Sequence, residues 1–229
     1  MNFVPNGYPE VSAEYLDPTY YLNFDNALVQ EFALEVIGKT SSPVEQTKKL
    51  FIAVRDKIRY DPYNISLDPS SYKASYCLKA KHGFCLPKAN LLAAAARSVG
   101  IPAGIGLSDV RNHLCTERMK RMMGGQEIFL HHGYAVLFLK DKWIKLAPAF
   151  NIELCNRFDV APTDFDGKNH ALFQQYDAKG RLHMEYVKNH GIWSDFPFHR
   201  VSRDFKKYYP PSVYDEKARA RVDFAYIKK

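Results

Sequence analysis

The stretch GFCLPKANLLAAAARSVGIPA, residues 83–103, carries the strongest structural signal in the chain. Pro87 fits the first turn of a helix, residues 91–96 are strong helix formers, and Gly100 is placed to end the helix. Small alanines on most faces indicate that other elements pack closely around it. The sequence therefore predicts a central helix that begins near Cys85.

A second helix is predicted upstream of this stretch. Ser42, Pro43 and Glu45 have the spacing of a capping box with proline in the first helical turn. Apolar residues that would face a core follow at helical spacing, namely Leu50, Phe51, Val54 and Ile58. We expect this helix to end before Asp61-Pro62, and residues 61–80 are predicted to be a loop.

Strands dominate the prediction downstream of the central helix. We expect a short strand from Ile101, a small helix within 112–126, a hairpin from residues 128–139 and 143–150, and another hairpin from 171–176 and 181–187. The order of helix, helix and then strands favours an α+β fold with an antiparallel sheet over an alternating parallel sheet.

Length and composition limit the possible classes of protein. With 229 residues, 46% of them hydrophobic and 25% charged, the chain is typical of a globular protein with a real core. The net charge of +7 is spread along the chain, so we expect no nucleic-acid partner. No apolar window is long enough to span a membrane and no signal peptide is visible, so we expect no membrane partner.

The cysteine pattern favours reduced thiols over a disulfide framework. The four cysteines include no C-x-x-C pair, and the histidines include no H-x-x-x-H spacing; the cysteines are Cys77, Cys85, Cys115 and Cys155. We therefore expect a cytoplasmic protein that needs no metal and no other cofactor.

Cys85 is the first candidate for chemistry, because a thiol at a helix start faces unpaired amides and the positive end of the helix dipole. These groups would stabilise its thiolate. His132, at the front of the predicted hairpin, is the natural residue to take the proton. From the residues alone, a buried structural thiol is the simpler alternative.

Three blocks of the sequence resemble the transglutaminase-like superfamily of papain-like cysteine enzymes. They are VRDKIRYD at 54–61, GFC at 83–85 followed by GIPA at 100–103, and HGYAV at 132–136 leading through Trp143 to Pro148. The resemblance implies one domain over residues 1–229, divided into an N-terminal arm (1–41), a catalytic core (42–150), and a subgroup-specific hairpin and wrapping tail (151–229). We expect Tyr15, Tyr20, Tyr21 and Phe24 to anchor the arm.

The resemblance implies that Cys85 is the nucleophile and that His132 is the general base and acid. The family's third member is an aspartate before a proline, and this chain has Ala147 before Pro148. Asn151 is our candidate replacement, since papain-like enzymes use asparagine in this role, and its alternative is a turn residue. Asp164 and Asp166 are weaker candidates.

The implied activity is acyl transfer through Cys85, most simply hydrolysis of an amide or related acyl bond in a peptide or small molecule. A catalytically inactive binding module on the same fold and a small-molecule acyltransferase remain alternatives. Between the two catalytic blocks lie methionines that could form a lid or fill the core: Met119, Met122 and Met123.

Overall fold

The computed structural model describes residues 3–113, 115–173 and 179–227, and side chains as far as residue 221. Its helices are α1 (Ala27–Ile37), α2 (Pro43–Lys57), α3 (Ala74–Ala80), α4 (Cys85–Ser98), α5 (Glu117–Met122), α6 (Ile152–Phe158), α7 (Phe198–Tyr208) and α8 (Glu216–Ile227). Its strands are β1 (Phe3–Val4), β2 (Arg59–Tyr60), β3 (His82–Gly83), β4 (Ala103–Asn112), β5 (Ile128–Leu139), β6 (Lys142–Leu146) and β7 (Met184–Trp193). None of the described helices is both long and apolar enough to cross a membrane.

Helix α4 is the predicted central helix, and it begins at Cys85. Every residue from Cys85 to Arg97 is buried. The helices α1, α2 and α3 pack on α4 from one side, while β5 and β4 lie against it from the other. Its alanines allow this close approach on several faces, which confirms the sequence prediction.

The sheet has the order β1-β7-β4-β5-β6, and every neighbouring pair is antiparallel. It carries the main core on the face covered by α4. A second, smaller hydrophobic cluster includes Tyr15 and Trp143, whose rings meet edge to face with centroids 5.1 Å apart. The predicted α+β class is confirmed.

Two helices occupy segments where we predicted irregular structure. Helix α1 begins after Asn26, whose side chain accepts a hydrogen bond from the N–H of Leu28, and it lies within the predicted arm. Helix α3 lies within the predicted loop and ends at Lys81, which has a positive φ of 56°. Of the arm's expected anchors, Tyr15 and Tyr21 are buried, but the side chain of Tyr20 is largely exposed.

The second predicted hairpin stays a prediction, because residues 174–178 fall outside the described part of the chain. Strand β7, which includes residues 184–187 of that hairpin, pairs with β4 and β1. Ala171, at the start of the first predicted strand, makes an isolated parallel bridge to Leu146. The rest of that strand, residues 174–176, falls outside the described residues. Long-range pairing with β4 and β1, which cannot be read locally, determines where β7 lies.

Two buried cations attach α4 to the segments around it. Lys88 is fully buried, and its Nζ donates to the carbonyl oxygens of Arg55 (2.8 Å) and Ile58 (2.5 Å) at the end of α2. Arg97 donates to the carbonyl oxygens of Ala103, Asp17 and Ser194. These hydrogen bonds satisfy backbone carbonyl groups that would otherwise be buried without a donor.

The N-terminal end of α2 lacks the capping hydrogen bond that we predicted. The side chain of Ser42 makes no capping hydrogen bond, and Glu45 pairs with Lys48 at 2.8 Å. Pro43 does stand in the first turn, so the helix start is confirmed, but the capping box is wrong.

We predict that Lys88→Met lowers the free energy of unfolding by about 1–3 kcal/mol for each carbonyl left without its donor. Methionine keeps much of the side-chain volume, so the loss reports the hydrogen bonds. Urea unfolding followed by circular dichroism measures it. The control is Lys48→Met in the exposed Lys48–Glu45 pair, where we expect a change within about 0.5 kcal/mol. Equal effects of the two substitutions would contradict this role of Lys88.

Candidate active site

Cys85 is the first residue of α4, directly after the N-terminal cap residue Phe84. The residue before that, Gly83, pairs with Tyr60 in a short parallel contact between β3 and β2. This contact brings the end of the VRDKIRYD block beside the start of the GFC block. Cys85 has a relative exposure of 9%, and it lines a cavity.

The Cys85 thiol faces backbone amides. The N–H groups of Gly133, Leu86 and Cys85 itself contact the sulfur, and each lowers the thiol pKa. Burial is the larger effect, however, and it raises the pKa of Cys85 to about 11. The thiolate that we expected from the helix start is therefore not favoured, because desolvation outweighs the amides.

Gly133 sets the distance between β5 and the first turn of α4. A Cβ at this position would lie 2.5 Å from Leu86 Cδ2 and 3.2 Å from Leu86 Cα. Only glycine lets the strand approach closely enough for its N–H to reach the Cys85 sulfur. Since Gly133 follows His132 directly along β5, this contact brings the start of α4 against the part of the strand that carries the candidate base.

The His132 side chain lies in an aromatic environment. Its ring centroid is 4.8 Å from that of Phe173 and 6.2 Å from that of Tyr186. Burial lowers the pKa of His132 to about 3, so its imidazole is neutral. Within the described part of the chain, Nε2 of this buried ring has no hydrogen-bond partner.

The position of the family's aspartate is apolar in this chain. Ala147 is buried in the smaller core cluster together with Tyr134 and Val136. No carboxylate can therefore come from this residue to orient the imidazole.

Asn151 lines the same cavity as Cys85 and His132, but its amide is used elsewhere. Its Oδ1 accepts from the N–H of Tyr60 at 3.0 Å, and its Nδ2 donates to Glu153 at 2.5 Å. The structure thus gives Asn151 partners other than His132. Its expected role in orienting the imidazole stays a prediction.

The two weaker candidates for the third member are also engaged elsewhere. Asp164 pairs with the buried guanidinium of Arg55. Asp166 accepts from the backbone N–H groups of Lys168 and Asn169 in an exposed turn. Neither has a contact with His132 among its described partners.

A separate polar cluster lies where β7, β4 and β5 are neighbours. Asp109, His131 and His190 each offer a ligand atom within 4.8 Å of the others, so they are the residues here that could hold a metal. Close contacts already join these groups to carboxylates: His190 Nε2 is 2.7 Å from Asp109 Oδ1, and His131 Nε2 is 2.9 Å from Asp204. Arg200 adds a contact of 3.3 Å to Nδ1 of His190. This arrangement suits a network of ionisable side chains, in which the buried Nδ1 of His131 has no hydrogen-bond partner among the described residues.

The cavity next to Cys85 has a volume of about 640 Å³. The predicted lid methionines belong to its wall, since Met119, Met122 and Met123 line it and are buried. Sequence reasoning found these residues but missed the aromatic contribution of Phe173, which lies outside the matching blocks. All four cysteines are free thiols.

Comparisons with known proteins place this site in a family. The family model described as the transglutaminase-like superfamily matches residues 30–148. No match was found among curated proteins.

Solved structures with a similar chain course include three from bacteria. One from Cytophaga hutchinsonii, provisionally named a cysteine protease, has 17% identity and a TM-score of 0.45 over 58% of this chain and 40% of its own. The periplasmic domain of TgpA from Pseudomonas aeruginosa has 17% identity and a TM-score of 0.39 over 59% and 45%. The arylamine N-acetyltransferase from Mycobacterium abscessus has 20% identity and a TM-score of 0.38 over 62% and 47%.

In each case the matched region is less than half of the other protein's length. Since the family model covers more than half of this chain and includes Cys85 and His132, the chain belongs to the transglutaminase-like superfamily.

Proposed function

We propose that this protein is a cysteine-dependent acyl-transfer enzyme that carries the acyl group as a thioester on Cys85. One observation supports this most strongly: the Cys85 thiol, at the start of the central helix, lies in a ligand-sized cavity that His132 also lines. Membership of a family of cysteine enzymes agrees with this chemistry. We propose a cytoplasmic location, consistent with the free thiols.

The proposed reaction has two half-steps with one proton carrier. Cys85 attacks the acyl carbonyl carbon while His132 takes the thiol proton. The carbon–nitrogen bond breaks, and the imidazolium gives its proton to the leaving amine. Water then attacks the thioester and gives a proton to His132, which returns it to the sulfur as the free acid leaves.

Hydrolysis is our leading assignment, with a peptide or small-molecule acyl compound as substrate. Transfer to an amine would use the same thioester, with the amine in place of water. The calcium-binding carboxylate cluster that would suggest a calcium-dependent enzyme is not evident in the sequence.

A catalytically inactive binding module is the second candidate, and one observation favours it. Nε2 of His132 has no acceptor among the described residues, and Ala147 supplies none. In serine proteases, loss of the orienting carboxylate costs about 10⁴ in turnover. A module would retain the cavity and bind ligand without converting it.

We predict that Cys85→Ala abolishes turnover of activated acyl esters and anilides, because no other nucleophile occupies the start of α4. The assay follows release of the aryl leaving group, and mass spectrometry follows the acyl adduct on Cys85. Cys115→Ala is the matched control, since Cys115 lines the same cavity. Wild-type protein that never releases product or forms the adduct would favour the binding module. Added amines that never divert product from the free acid would exclude transfer.

We predict that alkylation of Cys85 by iodoacetamide accelerates about tenfold per pH unit from about pH 7 to 10. The reason is that the thiol pKa of about 11 leaves the reactive thiolate rare below that pH. Glutathione, an ordinary thiol, should level off above about pH 9. The adduct is located by peptide mapping. A rate at Cys85 that is already constant below pH 8 would mean that the thiolate is activated and that burial does not control it.

We predict that Asn151→Ala lowers the free energy of unfolding by about 1–3 kcal/mol, since the N–H of Tyr60 loses its acceptor. We expect kcat/KM to fall by one to several orders of magnitude as well, because our prediction gives Asn151 the role of orienting His132. Asn156→Ala, on the exposed side of α6, is the control. Full activity in a stably folded Asn151→Ala variant would remove Asn151 from the site.

A further inference from the structure

We propose that the cavity beside Cys85 is a binding site for an uncharged hydrocarbon group, either an alkyl chain or an aromatic ring, attached to the carbonyl carbon that Cys85 attacks. That this hydrocarbon is part of an acyl group rests on the proposed function. The hydrocarbon site itself rests on the walls of the cavity.

Methionine is concentrated in these walls. Of the five methionines in the chain, the four that the structure describes all line the cavity: Met119, Met122, Met123 and Met184. Their side chains are at most 6% exposed. Methionine is flexible and polarizable, and it is used repeatedly on surfaces that accept apolar ligands of varying shape. Three of the four come from one short segment around α5.

Aromatic rings form the part of the wall nearest to the reactive residues. Phe150 and Phe173 lie with ring centroids 4.5 Å apart, and Phe173 also contacts the ring of His132. Tyr60 meets Phe150 edge to face at 4.9 Å. A group attached to the Cys85 sulfur would therefore meet carbon surface on leaving the thiol.

Some polar atoms of the wall are occupied by the protein itself, although charged side chains also line the cavity. Tyr209 Oη accepts from the N–H of Leu130 at 2.6 Å and lies 3.1 Å from the carbonyl oxygen of Ile128. Tyr63 Oη is 3.0 Å from Thr116 Oγ1.

The Asn151 amide is similarly used by Tyr60 and Glu153. A peptide or sugar that buried its own donors and acceptors against the methionines and aromatic rings would leave them unpaired, and each unpaired polar group would oppose binding. A plain hydrocarbon has no such groups to satisfy.

The dimensions fit a group of moderate size. A volume of about 640 Å³ is within the range that holds a drug-sized ligand. An acetyl group would leave most of this space unfilled. The geometry therefore favours a medium-length alkyl or aromatic acyl group over a short or strongly polar one.

The test uses a series of thiol-reactive probes, so that it does not depend on turnover. Second-order rate constants for alkylation of Cys85 are measured with N-ethyl-, N-butyl-, N-hexyl- and N-octylmaleimide at one pH, with the adduct located by peptide mapping. We expect the rate at Cys85 to rise by up to about fourfold for each methylene that enters the cavity. A maleimide carrying a glycol-ether chain of octyl length is the polar control, and it should gain little over N-ethylmaleimide.

A cavity-filling variant tests the location. Met184→Trp should lower the N-octylmaleimide rate at least tenfold while the N-ethylmaleimide rate changes less than about threefold. Leu34→Trp adds the same ring on the exposed face of α1 and should change neither rate. The wild-type comparison of alkyl and glycol-ether chains needs no variant, so it remains decisive if Met184→Trp does not fold.

A rate at Cys85 that is flat or falls with alkyl length would overturn the hydrocarbon site, as would equal rates for octyl and glycol-ether chains. The proposed function fails separately: a rising alkyl series without any acyl adduct or turnover would keep the site and remove the enzyme. Turnover through Cys85 with a flat alkyl series would keep the enzyme and remove the hydrocarbon site.

Discussion

The close contact between the backbone of β5 and the first turn of α4 determines the rest of the site. Gly133 lies so near Leu86 that a Cβ would come within 2.5 Å of it, and its N–H reaches the sulfur of Cys85. The thiol is thereby fixed beside the strand that carries His132. Burial of the sulfur outweighs the three amides that contact it and raises the pKa of the thiol.

Burial acts differently on the polar groups near this contact, depending on whether they have partners. Lys88 lies one turn further along α4 and is fully buried, but it donates to two carbonyl oxygens at the end of α2. It therefore has a structural role that the fold can sustain. His132 is also buried, but its Nε2 has no hydrogen-bond partner among the described residues. A buried polar atom that the fold leaves unpaired opposes folding, so the fold sustains His132 at a cost that it does not bear at Lys88.

The sequence predicted the parts of this structure whose signals are local. Helices α2 and α4 follow from apolar spacing, proline and glycine, and β5 and β6 from two apolar runs around a short turn. Helix α1 has comparable spacing at Val29, Phe32 and Ile37, and it was missed because polar and aromatic residues precede it. The partners of Asn151 could not be predicted, because Tyr60 is 91 positions away and the competition for one amide depends on packing.

The apolar surroundings of His132 connect its chemistry to the proposed ligand. With Ala147 in place of an aspartate and Phe173 against the ring, nothing described near the imidazole stabilises its protonated form. Burial therefore opposes proton transfer from Cys85 to His132. Binding energy from a remote part of a substrate can offset such a cost. Each buried methylene contributes about 0.8 kcal/mol, so a hydrocarbon acyl group could supply several kcal/mol where a short acyl group could not. If the enzyme is active, its dependence on acyl length should therefore be found in kcat as well as in KM.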